Sequence, residues 1–141
     1  MLFPYYLPPE SRQLVELIRQ AQFTIRENIS WCSDGRYAGA IIQDSKTFFI
    51  CTRNILNKPD ANRFLIETVN HEAAHAAQAC KGMKPIGIPL SAMALSRDKV
   101  QNIDKSIRLT KHENTRRLEH EAYWLEDKPQ ETIKYLQKFC F

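Results

Sequence analysis

The sequence contains few of the residues that mark unusual protein classes. Only 4 glycines and 7 prolines occur among 141 residues, which excludes collagen-like and low-complexity material. No apolar run approaches the roughly 18 residues that a membrane-spanning helix needs, so we expect no membrane association. No two of the 4 cysteines have the CxxC spacing, so a cysteine-based zinc site is not expected.

The cysteines and the N-terminus together predict a cytoplasmic protein. A chain of 141 residues needs no disulfide staples, and nothing indicates secretion, so we expect reduced and mostly buried thiols. The apolar segment 1–10 has no basic start, and its prolines break the helix that a signal peptide needs. We predict that this segment is an arm on the domain surface; the alternative is an arm that binds a protein partner.

Composition and charge favour one soluble globular domain over residues 1–141. Hydrophobic residues make up 43% of the chain and charged residues 26%, which is ordinary for such a domain. The net charge of +4 is concentrated in residues 97–117, which hold 7 basic and 3 acidic residues. We interpret this segment as a solvated helical face. An acidic partner is the alternative, and nucleic acid is not expected because aromatic residues are not interleaved with the charges.

Periodicity predicts an α+β fold that is mostly helical, with a small β-hairpin before a central helix. The first helix is predicted over 11–29, and the hairpin strands over 37–43 and 47–52. The central helix begins near 57–60 and ends near Cys80. A loop rich in proline and glycine follows at 82–91, and further helices are predicted over 92–108, 111–127 and 129–140.

The central helix carries the string His71-Glu72-Ala73-Ala74-His75, an HExxH motif. Residues four apart on a helix point the same way, so two imidazoles at this spacing can both reach one Zn²⁺ ion. Glu72 lies about 100° further round the helix, where it can reach a water on the metal and take its proton. The sequence therefore predicts a zinc site with a general base.

A catalytic zinc site needs a third protein ligand and an open position for water. Glu121 borders the apolar stripe of the helix predicted over 111–127, and Glu119 lies about 200° round from it, toward solvent. The residues alone leave several candidates on this helix: His112, Glu113, Glu119, His120 and Glu121.

The motif and the string Glu119-His120-Glu121-Ala122 resemble the gluzincin metallopeptidases, especially the minimal gluzincins and the ImmA/IrrE type. In that family, HExxH on one helix is completed by a Glu on a later helix, commonly followed by Ala. The resemblance covers roughly residues 37–127 and implies a zincin-like fold. It implies that His71, His75 and Glu121 are zinc ligands and Glu72 the general base, with His120 and then Glu119 as alternatives to Glu121.

The resemblance also implies how a substrate is held. It suggests that the strand at 47–52 offers an edge to an extended peptide and that the loop at 82–91 walls a side-chain pocket. The alternative for that loop is a cover over the core. Such enzymes use a Tyr or His to stabilise the oxyanion, and three residues are candidates: His112, His120 and Tyr123.

These features predict a zinc-dependent peptidase that acts on a protein or peptide substrate. The alternative is a non-catalytic zinc-binding subunit of a larger complex, with the apolar termini as contact surfaces. A third reading is a regulator that acts through a transcription factor, as the ImmA/IrrE resemblance suggests. Glu72 favours the peptidase, because a purely structural zinc site has no use for a base.

Overall fold

A computed structural model of the chain describes residues 3–111 and 113–141, except the side chain of Glu113. It confirms the α+β, mostly helical fold. The helices and strands, in chain order, are α1 (Pro9–Gln20), β1 (Thr24–Glu27), β2 (Gly39–Ile42), β3 (Thr47–Ile50), α2 (Thr52–Ile55), α3 (Ala61–Cys80), α4 (Arg97–Thr110), α5 (Arg116–Leu125) and α6 (Pro129–Cys140). No described helix is long and apolar enough to cross a membrane.

The three strands form one sheet in the order β1-β3-β2. The hairpin prediction is confirmed, because β2 pairs antiparallel with β3 and Gly39 lies opposite Ile50. Strand β1 pairs parallel with β3 on its other side, with Thr24 opposite Thr47. All four residues of β3 are buried, as its central position requires.

The prediction of one helix over 11–29 is wrong beyond Gln20. Gln22 has a left-handed backbone with φ of 73°, which ends the helical path. The next residues, Phe23 to Ile25, are aromatic or β-branched, and the Thr24 N–H donates to the Lys46 carbonyl. Sheet pairing therefore takes over a segment whose apolar spacing also suited a helix.

Helix α3 lies at the centre of the molecule. Helices α1, α5 and α6 and strand β2 all pack against it. Several of its positions carry alanine and are fully buried, so neighbouring backbones can approach closely. These residues are Ala73, Ala74, Ala76 and Ala77.

The N-terminal segment is not a simple surface arm. Residues Phe3–Tyr6 form a short 3₁₀ helix, and Phe3 and Leu7 are buried in the main core. Tyr5 and Tyr6 remain exposed. Apolar burial therefore holds this segment against α1 and the sheet, because each buried large side chain contributes roughly 1.5–3 kcal/mol.

The four cysteines are paired, so the prediction of reduced thiols is wrong. Disulfides join Cys32 to Cys51 and Cys80 to Cys140. The second disulfide ties the end of α3 to the end of α6 across 60 residues of sequence. Disulfides persist mainly in oxidising compartments, so the cysteines no longer support the predicted cytoplasmic location.

We expect Cys140→Ser to lower the free energy of unfolding by about 2–4 kcal/mol, because the disulfide closes a long loop in the unfolded chain. Urea unfolding of the wild type and the variant without reductant measures this change. With reductant, which breaks both disulfides, the difference between the two proteins should largely disappear. Cys32→Ser breaks a disulfide that spans only 19 residues and should cost less. Alkylation of all four cysteines in unreduced, unfolded protein would contradict the pairing.

Candidate metal centre

Helix α3 brings two imidazoles together with a carboxylate from α5. His71 and His75 are one helical turn apart, and their ring centroids are separated by 4.9 Å. Glu119 Oε1 lies 3.4 Å from His71 Nε2 and 2.5 Å from His75 Nε2. One ligand atom from each residue therefore lies within 4.8 Å of the others, as the donors of a single metal ion must.

Each imidazole is also held from its other side. His71 Nδ1 lies 3.2 Å from Glu126 Oε2, and His75 Nδ1 lies 2.7 Å from Gln78 Oε1. A partner at Nδ1 fixes the orientation of the ring and leaves Nε2 facing Glu119, an arrangement found in most histidine metal sites. Lys99 Nζ, 3.4 Å from Glu126 Oε1, holds that carboxylate in turn.

The site is buried and its charges are strongly coupled. Burial alone lowers the pKa of His71, but the hydrogen bonds to Glu119 and Glu126 outweigh it, and the pKa is raised well above its usual value. Burial also lowers the pKa of His75, but the attraction of the Glu119 carboxylate outweighs it, so the pKa of His75 is raised too. Burial would raise the pKa of Glu119, but the two histidines hold it well below its usual value. Glu119 is therefore a carboxylate that attracts positive charge to this position.

The donor set fits a zinc ion. Two imidazole nitrogens and one carboxylate oxygen form a ligand set used by catalytic zinc sites, which keep a fourth position for water. Both histidines have the Nδ1 partner that such ligands require. His71, His75 and Glu119 would hold the ion.

The structure does not bring Glu121, the predicted third ligand, to the histidines, and it places Glu119 beside them instead. The Glu121 carboxylate is fully buried elsewhere and accepts hydrogen bonds from the backbone N–H groups of Ile86 (2.7 Å) and Gly87 (2.9 Å). It also accepts one from Gln78 Nε2, at 2.9 Å. Glu121 holds the loop after α3, and Glu119 takes the place expected for it.

The expectation that Glu119 faces solvent is wrong, because both sides of α5 are in contact with protein. Glu119 is only 9% exposed, since α4 covers its side of the helix and Ser106 Oγ donates to Glu119 Oε2 at 2.6 Å. The Glu121 side is covered by the loop after α3. Apolar periodicity cannot distinguish these faces, because both carry a buried glutamate.

Glu72 lies beside the histidines on the wall of a cleft of about 930 Å³ that runs between β2 and the helices α4 and α5. Burial raises the pKa of Glu72, and the attraction of His75 and His71 offsets this only in part. Glycine at position 39 allows β2 to pack closely here, because a Cβ there would lie 2.7 Å from the Phe49 carbonyl oxygen and 3.4 Å from Glu72 Cγ.

Of the oxyanion candidates, Tyr123 faces the cleft. Its ring centroid is 4.4 Å from that of His71. Burial and the nearby carboxylates raise the pKa of Tyr123, so its hydroxyl stays a hydrogen-bond donor. His120 is instead directed away, with Nε2 2.8 Å from the Met93 carbonyl oxygen. His112 and the side chain of Glu113 lie outside the described residues.

Two expectations about the cleft walls change. Strand β3, which spans most of the predicted strand at 47–52, is paired on both sides and offers no free edge. Strand β2 has one edge unpaired by any described strand, and residues 37–41 line the cleft. In the loop at 82–91, Ile86 and Ile88 are buried in the core, and Met83 is its cleft-lining residue.

The two residues that hold the imidazoles, Gln78 and Glu126, were not among the candidates predicted from the sequence. Gln78 lies three residues after His75 on the same helix, a spacing at which side chains meet. Glu126 lies seven residues after Glu119, at the C-cap of α5 and in line with the side of the helix that carries Glu119. Helical spacing from a candidate ligand was therefore a signal for both.

The chain belongs to the family described as Domain of unknown function (DUF8637), whose profile matches residues 3–141. No curated protein and no solved structure matches the chain.

We expect Glu119→Ala to lose most of the bound zinc, because it removes the carboxylate that meets both imidazoles. Elemental analysis after zinc loading and gel filtration should give close to one equivalent for the wild-type protein. Glu16→Ala, a change at an exposed glutamate of α1, is the control and should keep it. Full zinc in Glu119→Ala would contradict this ligand set.

Proposed function

We propose that this protein is a zinc-dependent peptidase that hydrolyses a peptide bond of a polypeptide held in the cleft between β2 and α4. One observation carries the proposal: a carboxylate and two imidazoles, each imidazole held at Nδ1, converge beside the buried carboxyl of Glu72 on the same cleft. The cleft gives a chain-like substrate access to that point.

Each residue around the site has a separate role in hydrolysis. A bound zinc ion would lower the pKa of a coordinated water to about 7 and polarise the substrate carbonyl. Glu72 accepts the proton from the attacking water and later delivers it to the leaving amine. The Tyr123 hydroxyl donates a hydrogen bond to the oxyanion that develops in the transition state.

The cleft also supports binding of an extended peptide. The edge of β2 that no described strand pairs with presents backbone groups along residues 39–42, beside Glu72. A substrate strand can pair with such an edge through main-chain hydrogen bonds, and this places its scissile bond in front of the histidines. This arrangement favours a peptidase over the alternative of a non-catalytic zinc subunit, which needs neither a cleft nor a base.

The α4 side of the cleft is basic, which indicates the class of substrate, and the Glu67 carboxylate that also lines the cleft is paired with Arg63. Lys105 and Arg108 line the cleft from α4, and Arg36 lines it from the opposite side. Among the described residues Lys105 and Arg108 form no ion pair, whereas Arg36 is paired with Asp34. We propose that the substrate carries acidic side chains near the scissile bond, where these two free charges attract them.

The general base is tested by Glu72→Gln, which keeps the shape of the side chain and removes its basicity. Cleavage of a peptide library, followed by mass spectrometry, should fall about 10²–10⁴-fold, and the zinc content should stay at one equivalent. Glu16→Gln on α1 serves as the control and should cleave like the wild type. Equal cleavage by Glu72→Gln would exclude this mechanism, and no cleavage by the wild type would favour the non-catalytic alternative.

The substrate class is tested by the double change Lys105→Glu and Arg108→Glu. We expect the preference for acidic residues beside the cleavage site to be lost or reversed, because two charges of the rim change sign. Matched peptides that differ only in Glu or Lys at the flanking positions measure the ratio of kcat/KM. An unchanged ratio would show that these side chains do not contact the substrate.

A further inference from the structure

The amide of Gln78 connects a metal-binding imidazole to the loop after α3. Gln78 is fully buried on α3. Its nitrogen, Nε2, donates to the Leu118 carbonyl at 3.0 Å and to Glu121 Oε1 at 2.9 Å. Its oxygen, Oε1, faces His75 Nδ1 at 2.7 Å.

The partners of this amide determine which way it points. The Leu118 carbonyl can only accept a hydrogen bond, and the Glu121 carboxylate also accepts from the backbone N–H groups of Ile86, Gly87 and Ile88. Both therefore require the NH₂ group of Gln78, and the reversed amide would leave two buried acceptors facing an oxygen. Such unmatched buried groups are costly, so Oε1 is directed at His75.

This orientation in turn determines the form of His75. An amide oxygen can only accept, so His75 Nδ1 must carry a proton. A metal ion that displaces the Nε2 proton would then bind the lone pair on Nε2, the nitrogen that faces Glu119. Glu121 therefore helps to fix the orientation of the Gln78 amide, and that amide fixes the protonated nitrogen of His75.

We infer that Glu121 is a positioning residue: through Gln78 it holds His75 in its metal-binding form and couples that form to the loop at 85–88. This inference rests on the metal site of the proposed function. Glu121 contacts no metal ligand itself, yet it accepts from both Gln78 and the loop backbone. A loop that leaves its place would release the carboxylate and, with it, the orientation of the amide.

The test measures zinc affinity by competition with a chelator for the wild type, Gln78→Leu, Glu121→Gln and the double variant. Each single change should weaken zinc binding about 10–100-fold, the usual effect of removing the partner of a ligand histidine. The double variant should be no weaker than the worse single variant, because both changes interrupt one chain of contacts.

A matched control separates this chain of contacts from the stability of the loop. Lys81 Nζ donates to the Pro85 carbonyl at 2.9 Å and the Ile86 carbonyl at 3.2 Å, so this side chain also holds the loop. Lys81 meets Gln78 through the backbone, where its N–H donates to the Gln78 carbonyl, a bond that Lys81→Met keeps. Lys81→Met should keep wild-type zinc affinity. An equal loss in Lys81→Met would show that the loop acts only through general stability and would overturn the inference.

A spectroscopic readout tests the tautomer directly. In zinc-loaded wild-type protein labelled with ¹⁵N, the His75 Nδ1 proton should be observed and protected from exchange, and Gln78→Leu should lose that protection. If Glu121→Gln does not fold, Gln78→Leu decides alone, and unchanged affinity in that variant would overturn the inference. Losses of zinc affinity that multiply in the double variant would also overturn the inference. If the wild type binds no zinc, the proposed function fails together with the inference. If the wild type binds zinc and the variants bind it equally well, only the inference fails.

Discussion

The buried polar side chains of α3 are the constraint on which the rest of the structure depends. Asn70, His71, Glu72 and Gln78 lie inside the protein on a helix that packs on several sides. Each polar group left unpaired there would cost about 1–3 kcal/mol. The neighbouring elements therefore have to supply partners at defined positions, and this requirement specifies how α1, α4, α5 and the loop after α3 are arranged.

Asn70, one of these side chains, forms hydrogen bonds with two other helices. Its amide nitrogen donates to the Glu126 carbonyl at the end of α5, and its oxygen accepts from Ser11 Oγ on α1. The next residue is His71, whose ring is held by the side chain of the same Glu126. Structural packing and the geometry of the candidate metal centre thus share the same contacts, so a change in one alters the other.

Glu119 and Glu121 illustrate how two similar residues acquire different roles. Both are buried glutamates two positions apart on α5, on opposite sides of the helix. Glu119 meets the imidazoles of α3, and Glu121 meets the backbone N–H groups of a loop. The difference arises from what packs against each side of α5: α3 and α4 on one side, and the loop with Gln78 on the other.

The sequence alone determined the helical fold class, the central helix and the hairpin before it, because apolar periodicity and turn residues act locally. It also determined that His71, Glu72 and His75 share one region of α3, since helical geometry places residues four apart on one face. Only the tertiary structure decided the third strand, the pairing of the cysteines, and the choice of Glu119 over Glu121. It alone showed that Gln78 and Glu126 hold the imidazoles. Those features depend on contacts between segments far apart in the chain, which no local pattern records.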